Sequence, residues 1–196
     1  HLSPRAALAA LFESVTKDGA QFEVAEVAPD AQDGLVVDCR GYAARDATPE
    51  LRGVKGEMLV LRCPDVDLTR PVRLLHPRIP LYVVPRGDGI FMLGATMIES
   101  SASDHVTARS LLELLSAAYA LNPAFGEAEV IEVGVDLRPA FPDNLPRIRR
   151  DGPDGRVIRA NGLFRHGYLL APALGEMVAD VIFENATPEM MDEAIA

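Results

Sequence analysis

The chain has 196 residues, 48% of them hydrophobic, with 19 Lys+Arg against 29 Asp+Glu and a formal charge of −10. That length can bury a real core, and the composition excludes a disordered chain. The acidic balance makes nucleic acid and anionic membrane poor partners, and no apolar run approaches the roughly 20 residues of a membrane span.

No signal peptide is recognisable, and Cys39 and Cys63 form no metal pattern, so a cytoplasmic protein with reduced thiols is expected. The sequence opens on His1-Leu2-Ser3 rather than Met and reads as a fragment.

Ser3-Pro4 predicts a helix start, with Leu8, Leu11, Phe12 and Val15 on one apolar face and Gly19 as the stop. Alternation over Gln21 to Val27 predicts a strand, and Leu35-Val36-Val37 a short buried strand capped by Asp38-Cys39-Arg40-Gly41. This first block reads as part of an α/β nucleotide-binding domain. From about Thr48 the texture changes. Glu57 to Arg62, Leu81 to Val84 and Ile90 to Gly94 predict strands, the last two joined by a hairpin at Gly87-Asp88-Gly89. Asp104 to Ala120 predicts a helix with Leu111, Leu114, Leu115 and Ala118 as its stripe, followed by a strand over Glu129 to Asp136. The block reads as an antiparallel sheet with a helix laid on it.

The last block starts turn-rich, with Arg147, Arg149 and Arg150 read as a solvated basic loop. A strand over Val157 to Ala160 leads into Asn161-Gly162-Leu163-Phe164-Arg165-His166-Gly167, and a helix over Ala171 to Phe183 follows. Thr187 to Ala196 could add a short helix.

His1, His76, His105 and His166 lack a second ligand at metal spacing, and GxxxxGK, GxSxG and GxGxxG are all absent. Three patterns remain: Tyr82-Val83-Val84-Pro85-Arg86-Gly87-Asp88-Gly89 with Gly94-Ala95-Thr96-Met97; Leu137-Arg138-Pro139 with Asp143-Asn144-Leu145-Pro146; and Gly162 to Pro172. From the residues alone, Arg138 reads first as a surface or salt-bridged arginine, Tyr82 as equally a plain strand aromatic, and Met97 as core filler.

In this order the three patterns resemble the FAD-dependent D-amino-acid oxidase and glycine oxidase superfamily, most closely the glycine oxidase of thiamin biosynthesis. The resemblance runs from His1 to about Ile182 and takes in His1-Leu2-Ser3-Pro4 and Gly56-Glu57-Met58. It implies an α/β (α+β) fold: a partial Rossmann-like FAD-binding domain over 1–48, an antiparallel-sheet substrate-binding domain over 49–136, and a return to the FAD-binding domain over 137–196. It implies that Arg138 pairs with the substrate carboxylate, that Tyr82 and Met97 line the substrate pocket, and that Arg165 contacts substrate or cofactor. Gly41 and the run Gly162, Leu163, Phe164, Arg165, His166, Gly167, Tyr168 and Leu169 would approach FAD, with the following helix N-terminus facing the electron-rich edge of the flavin. No side chain is implied as a catalytic acid or base.

The implied activity is oxidation of glycine or a small amine, with electrons passing to flavin and then to oxygen. The products would be imine or oxo acid, ammonia and hydrogen peroxide, or a feed into thiazole formation. Four departures stand against the family pattern. Asp136 replaces a glycine, Leu163 stands where the family has a histidine, His166 replaces an asparagine, and the segment bearing GxGxxG has no counterpart in this chain. Two alternatives stay open: a flavin-free, inactive fragment or binding module, and a sarcosine or broad D-amino-acid oxidase. The expected partner is a small amino acid, with a homo-oligomer left open.

Overall fold

A computed structural model describes residues 2–75, 81–102 and 104–191. His1, His76 and the end of the tail at 192–196 lie outside the described residues. The chain divides into two compact units, one of residues 1–52 with 139–196 and one of residues 53–138.

In the first unit, helix α1 (Pro4–Lys17) starts as predicted, with Pro4 at its first position, and ends before Gly19. Its face of Leu8, Leu11 and Phe12 is exposed, with the Phe12 ring tilted against Phe22 at 4.2 Å between ring centroids. The strand predicted over Gln21 to Val27 does not form: these residues are exposed and take no regular structure. Alternation makes one face suitable for burial, but a strand also needs a neighbour's N–H and C=O groups.

Strands β1 (Val36–Asp38), β8 (Arg147–Asp151) and β9 (Val157–Asn161) form a sheet in the order β1-β9-β8, with β1 parallel and β8 antiparallel to β9. Helix α3 (Gly167–Phe183) covers one face, burying Leu174, Val178 and Val181 with Ile148, Ile158 and Ala160. It starts four residues before the predicted Ala171, so Pro172 lies inside it rather than at its start.

The arginines read as a solvated loop form β8. Arg147 and Arg149 stack over the buried Phe141, Arg147 pairs with Asp143, and Arg149 pairs with Glu50. Arg147 and Arg149 thus each find a ring and a carboxylate, and Arg150 Nε donates to the Gly155 carbonyl at 3.0 Å, so the basic run is held as a strand. Residues 187–191 run as a turn rather than a helix, and Met191 bridges to Ile148.

On the sheet face opposite α3, Arg159 is buried among three carboxylates: Asp38 at 2.7 Å, Asp30 at 2.8 Å and Asp151 at 2.9 Å. Asp38 is itself buried and also accepts from Arg40 at 2.9 Å. Burial raises the Asp38 carboxyl, but its bonds to Arg40 and Arg159 prevail and hold it below the ordinary carboxylate range.

The second unit is an antiparallel sheet in the order β3-β4-β5-β2-β6, with β7 also paired to β2. Its strands are β2 (Arg52–Arg62), β3 (Val72–Leu74), β4 (Leu81–Gly87), β5 (Ile90–Gly94), β6 (Ile98–Glu99) and β7 (Glu129–Ala140). Asp88 and Gly89, both at positive φ, turn the predicted hairpin. Helix α2 (Ala108–Leu121) begins at the Thr107 cap, whose hydroxyl accepts from Ser110 N–H, so Asp104 to Val106 stand before it. Leu114, Ala117 and Ala118 of α2 pack on Leu59, Leu61, Leu81, Val83, Phe91 and Leu93.

Removing the Arg159 guanidinium leaves the carboxylates around it to repel one another. We expect Arg159→Leu to lower stability in urea unfolding by about 3 kcal/mol, at the low end for a broken buried cluster because Arg40 still partners Asp38. A loss below about 0.5 kcal/mol would remove the cluster as an anchor of this unit.

Candidate functional site

Side-chain parity sorts the residues of the second unit. Cross-strand partners point to the same side of a sheet, and residues two apart on one strand share a side. Leu59, Leu61, Leu81, Val83 and Leu93 face α2. Tyr82, Gly94 and Met58 are partners in one row, so they lie on the face opposite α2. Gly56, two residues before Met58, belongs to that face as well.

Arg138, on β7, lays its guanidinium there. A Cβ at Gly56 would overlap the guanidinium carbon and both terminal nitrogens, so glycine is what admits the side chain. Nη1 donates to the Thr96 carbonyl at 3.1 Å and more weakly to that of Lys55 at 3.5 Å. Arg138 and Tyr82 are therefore brought to one sheet face, and both are half-buried. Arg73 stands 5.2 Å from the centre of the Tyr82 ring. Met97, the next residue after Thr96, is 53% exposed rather than core.

Under the same strand lies a buried ion pair, Lys55 with the Glu57 of the Gly56-Glu57-Met58 motif, to which the motif assigned no role. Glu57 is fully buried, and Lys55 is 2% exposed. Lys55 Nζ meets Glu57 Oε1 at 3.0 Å. The carboxylate also accepts from Thr107 N–H at 3.0 Å, at the start of α2, and from Thr96 Oγ1 at 3.1 Å. A negative charge there complements the positive end of the helix dipole. Burial pushes the Glu57 carboxyl up, yet bonds from Ser110, Thr107, Lys55 and Thr96 outweigh it and hold it below its ordinary value of 4.5. Charged residues at 55 and 57 share a parity with the core residues 59 and 61, and that signal was present in the sequence.

In the first unit, the carboxyl ends of β1 and β9 open on a mainly apolar cavity of about 310 Å³. Gly41, Gly162 and Leu163 line it with Cys39, Asn161 and Pro139, and α3 closes it through Ala171, Leu174 and Gly175. Buried Asn161 ties the glycine segments together: Nδ2 donates to the Gly41 carbonyl at 2.8 Å, while Oδ1 accepts from Gly162 N–H at 2.8 Å. Gly162 sits at φ 82°, and a Cβ there would overlap the Phe141 ring. Phe164 N–H donates to Pro139 O at 3.1 Å, and the His166 carbonyl accepts from Leu169 and Leu170 as α3 begins at Gly167. Arg165, His166, Tyr168 and Leu169 are exposed, and Phe164 is half-buried with Arg52 above its ring. The carboxyl ends of parallel strands are where α/β sheets take cofactors.

A model of the family described as FAD dependent oxidoreductase matches residues 1–181. The chain belongs to that family. A Rhizobium etli protein named as a thiamine biosynthesis oxidoreductase, ThiO, is 52% identical over 191 residues, covering 96% of this chain and 58% of its own length. A glycine oxidase of Bacillus licheniformis is 36% identical over 132 residues, covering 67% of this chain and 35% of its own. Among solved structures, the glycine oxidase of Geobacillus kaustophilus aligns with a TM-score of 0.68 at 28% identity, covering 84% of this chain and 48% of that one. The chain thus spans 58% of the length of the Rhizobium etli relative and 35% of the Bacillus licheniformis one. The family's cofactor is FAD, and the glycine-lined cavity with its apolar wall suits a planar ring. Among the described residues no helix is long and apolar enough to cross a membrane.

A carboxyl with a lowered folded pKa stabilises the fold above its unfolded pKa and loses that contribution as pH falls through the lowered value. We therefore expect the stability gap between the parent and Glu57→Gln, measured by urea unfolding, to be flat above about pH 5 and to shrink below 4.5. A gap that widens on acidification would contradict the assignment.

Proposed function

We propose that this chain supplies the carboxylate clamp and part of the flavin cradle of an FAD-dependent oxidase acting on glycine or a small amine, in thiamin (thiazole) biosynthesis. The observation that carries the reading is the Arg138 guanidinium seated on Gly56 and oriented by the Thr96 carbonyl, on the sheet face shared with Tyr82. A guanidinium presents paired donors in one plane, and this geometry suits the two oxygens of an amino-acid carboxylate. The names of the relatives support the same substrate class.

In this reading Arg138 binds and orients the substrate through its carboxylate. Tyr82 and Met97 line the pocket wall, and Arg165 contacts substrate or cofactor. Gly41 and Gly162 to Leu169, that is Gly162, Leu163, Phe164, Arg165, His166, Gly167, Tyr168 and Leu169, approach FAD through their backbone. Bound FAD would accept the two electrons that turn the amine into an imine. The protein's own part is to bind, align and exclude water, which needs no acid or base from a side chain.

Truncating a guanidinium that pairs with a desolvated carboxylate costs about 2–5 kcal/mol, or roughly 30- to 4,000-fold in affinity. In the full-length flavin-loaded enzyme, Arg138→Ala should raise the KM for glycine by at least about 30-fold while flavin absorbance stays at one per chain, and Arg138→Lys should fall between. An unchanged KM would take Arg138 out of the site.

A further inference from the structure

The shorter of the two Arg138 Nη1 bonds goes to the carbonyl of Thr96, in the segment that follows β5, and that segment is tied to Glu57. Thr96 N–H donates to the Glu57 carbonyl at 3.1 Å, and Glu57 N–H donates to Thr96 Oγ1 at 2.9 Å. The same hydroxyl donates to Glu57 Oε2 at 3.1 Å. One threonine is thus held at three points by one glutamate, and its carbonyl then receives Arg138 at 3.1 Å. The glutamate is in turn fixed by the Lys55 ammonium and the amide at the start of α2. The Lys55 and Glu57 side chains are buried on the helix side of the strand, so neither needs to touch a ligand.

We infer that Thr96 and Glu57 are positioning residues that set the pose of the Arg138 guanidinium, and through it the affinity for the substrate carboxylate. The inference rests on the reading that Arg138 receives that carboxylate. Burying an ion pair beneath a binding face is costly unless every lone pair is met, and here Lys55, Thr107, Ser110 and Thr96 meet the carboxylate together. The arrangement delivers rigidity: a residue tied by its N–H and its hydroxyl through three hydrogen bonds holds its carbonyl in place, and a clamp that drifts by an ångström loses its ligand.

The test is a cycle in the full-length flavin-loaded enzyme, with steady-state oxidation of glycine and of an alkylamine lacking a carboxylate. Thr96→Val keeps the shape of the side chain and removes the hydroxyl; Thr96→Ser keeps the hydroxyl. We expect Thr96→Val to raise the KM for glycine about 10-fold, with kcat changed less than about twofold, and Thr96→Ser to restore it to within about twofold. The alkylamine should respond to neither. Combined with Arg138→Ala, Thr96→Val should add less than about twofold, because the group it positions is gone. Glu57→Gln, which keeps the acceptor but not the charge, should show the same dependence on Arg138. If Thr96→Val leaves the KM for glycine unchanged while Arg138→Ala raises it, the inference fails and the clamp stands. A Thr96→Val effect of equal size with and without Arg138 also overturns it, by making Thr96 a general structural residue. Should Arg138→Ala itself leave the KM unchanged, the clamp fails and the inference with it.

Discussion

A guanidinium lying flat on a glycine is the constraint around which the second unit is arranged. A cation that is half-buried must have its donors directed at acceptors, since misdirected donors at that depth cost more than the charge returns. Gly56 provides the surface, the Thr96 and Lys55 carbonyls provide direction, and the buried Lys55–Glu57 pair beneath the strand holds those carbonyls in place. The sheet therefore has two faces with different tasks. One face is a core sealed by α2, and the other carries Arg138 and Tyr82 on a backbone stiffened from behind.

The first unit solves a different problem, that of keeping two glycine segments at the ends of parallel strands in register. Asn161 does this with a single amide, donating to Gly41 and accepting from Gly162. The Phe141 ring, flanked by Arg147 and Arg149, fills the space where a side chain at position 162 would go. On the other side of the strand, Arg159 gathers Asp30, Asp38 and Asp151 and so locks the segment before β1 to the sheet. The cavity is lined by backbone and small apolar side chains, and the charges that stabilise the unit sit on the face turned away from α3.

Strong local signals in the sequence were reliable guides. The Ser3-Pro4 start, the hairpin at Asp88-Gly89 and the stripe of α2 all appear as their turn chemistry and periodicity require. Two of the misses share one cause, which is that a partner distant in the chain decides the outcome. Gln21 to Val27 alternates like a strand but pairs with no strand among the described residues, whereas the polar run at Arg147 to Arg150 becomes a strand paired with β9, with Phe141 and nearby carboxylates receiving Arg147 and Arg149. For the site, Arg138 was reached through a motif, and its seat on Gly56 could not have been read from spacing. Glu57 and Lys55 were legible in principle, as two charges on the apolar parity of a buried strand, but their link to Arg138 runs through Thr96, about 40 residues away, and only the folded sheet joins them.

The most direct test of the account is a structure of the full-length flavin-loaded enzyme with a small monocarboxylate bound. The account predicts both carboxylate oxygens within about 3 Å of Arg138 nitrogens, the guanidinium still lying on Gly56 and the Thr96 carbonyl still accepting from it. A carboxylate bound elsewhere, with Arg138 making only its contacts to the protein, would contradict it.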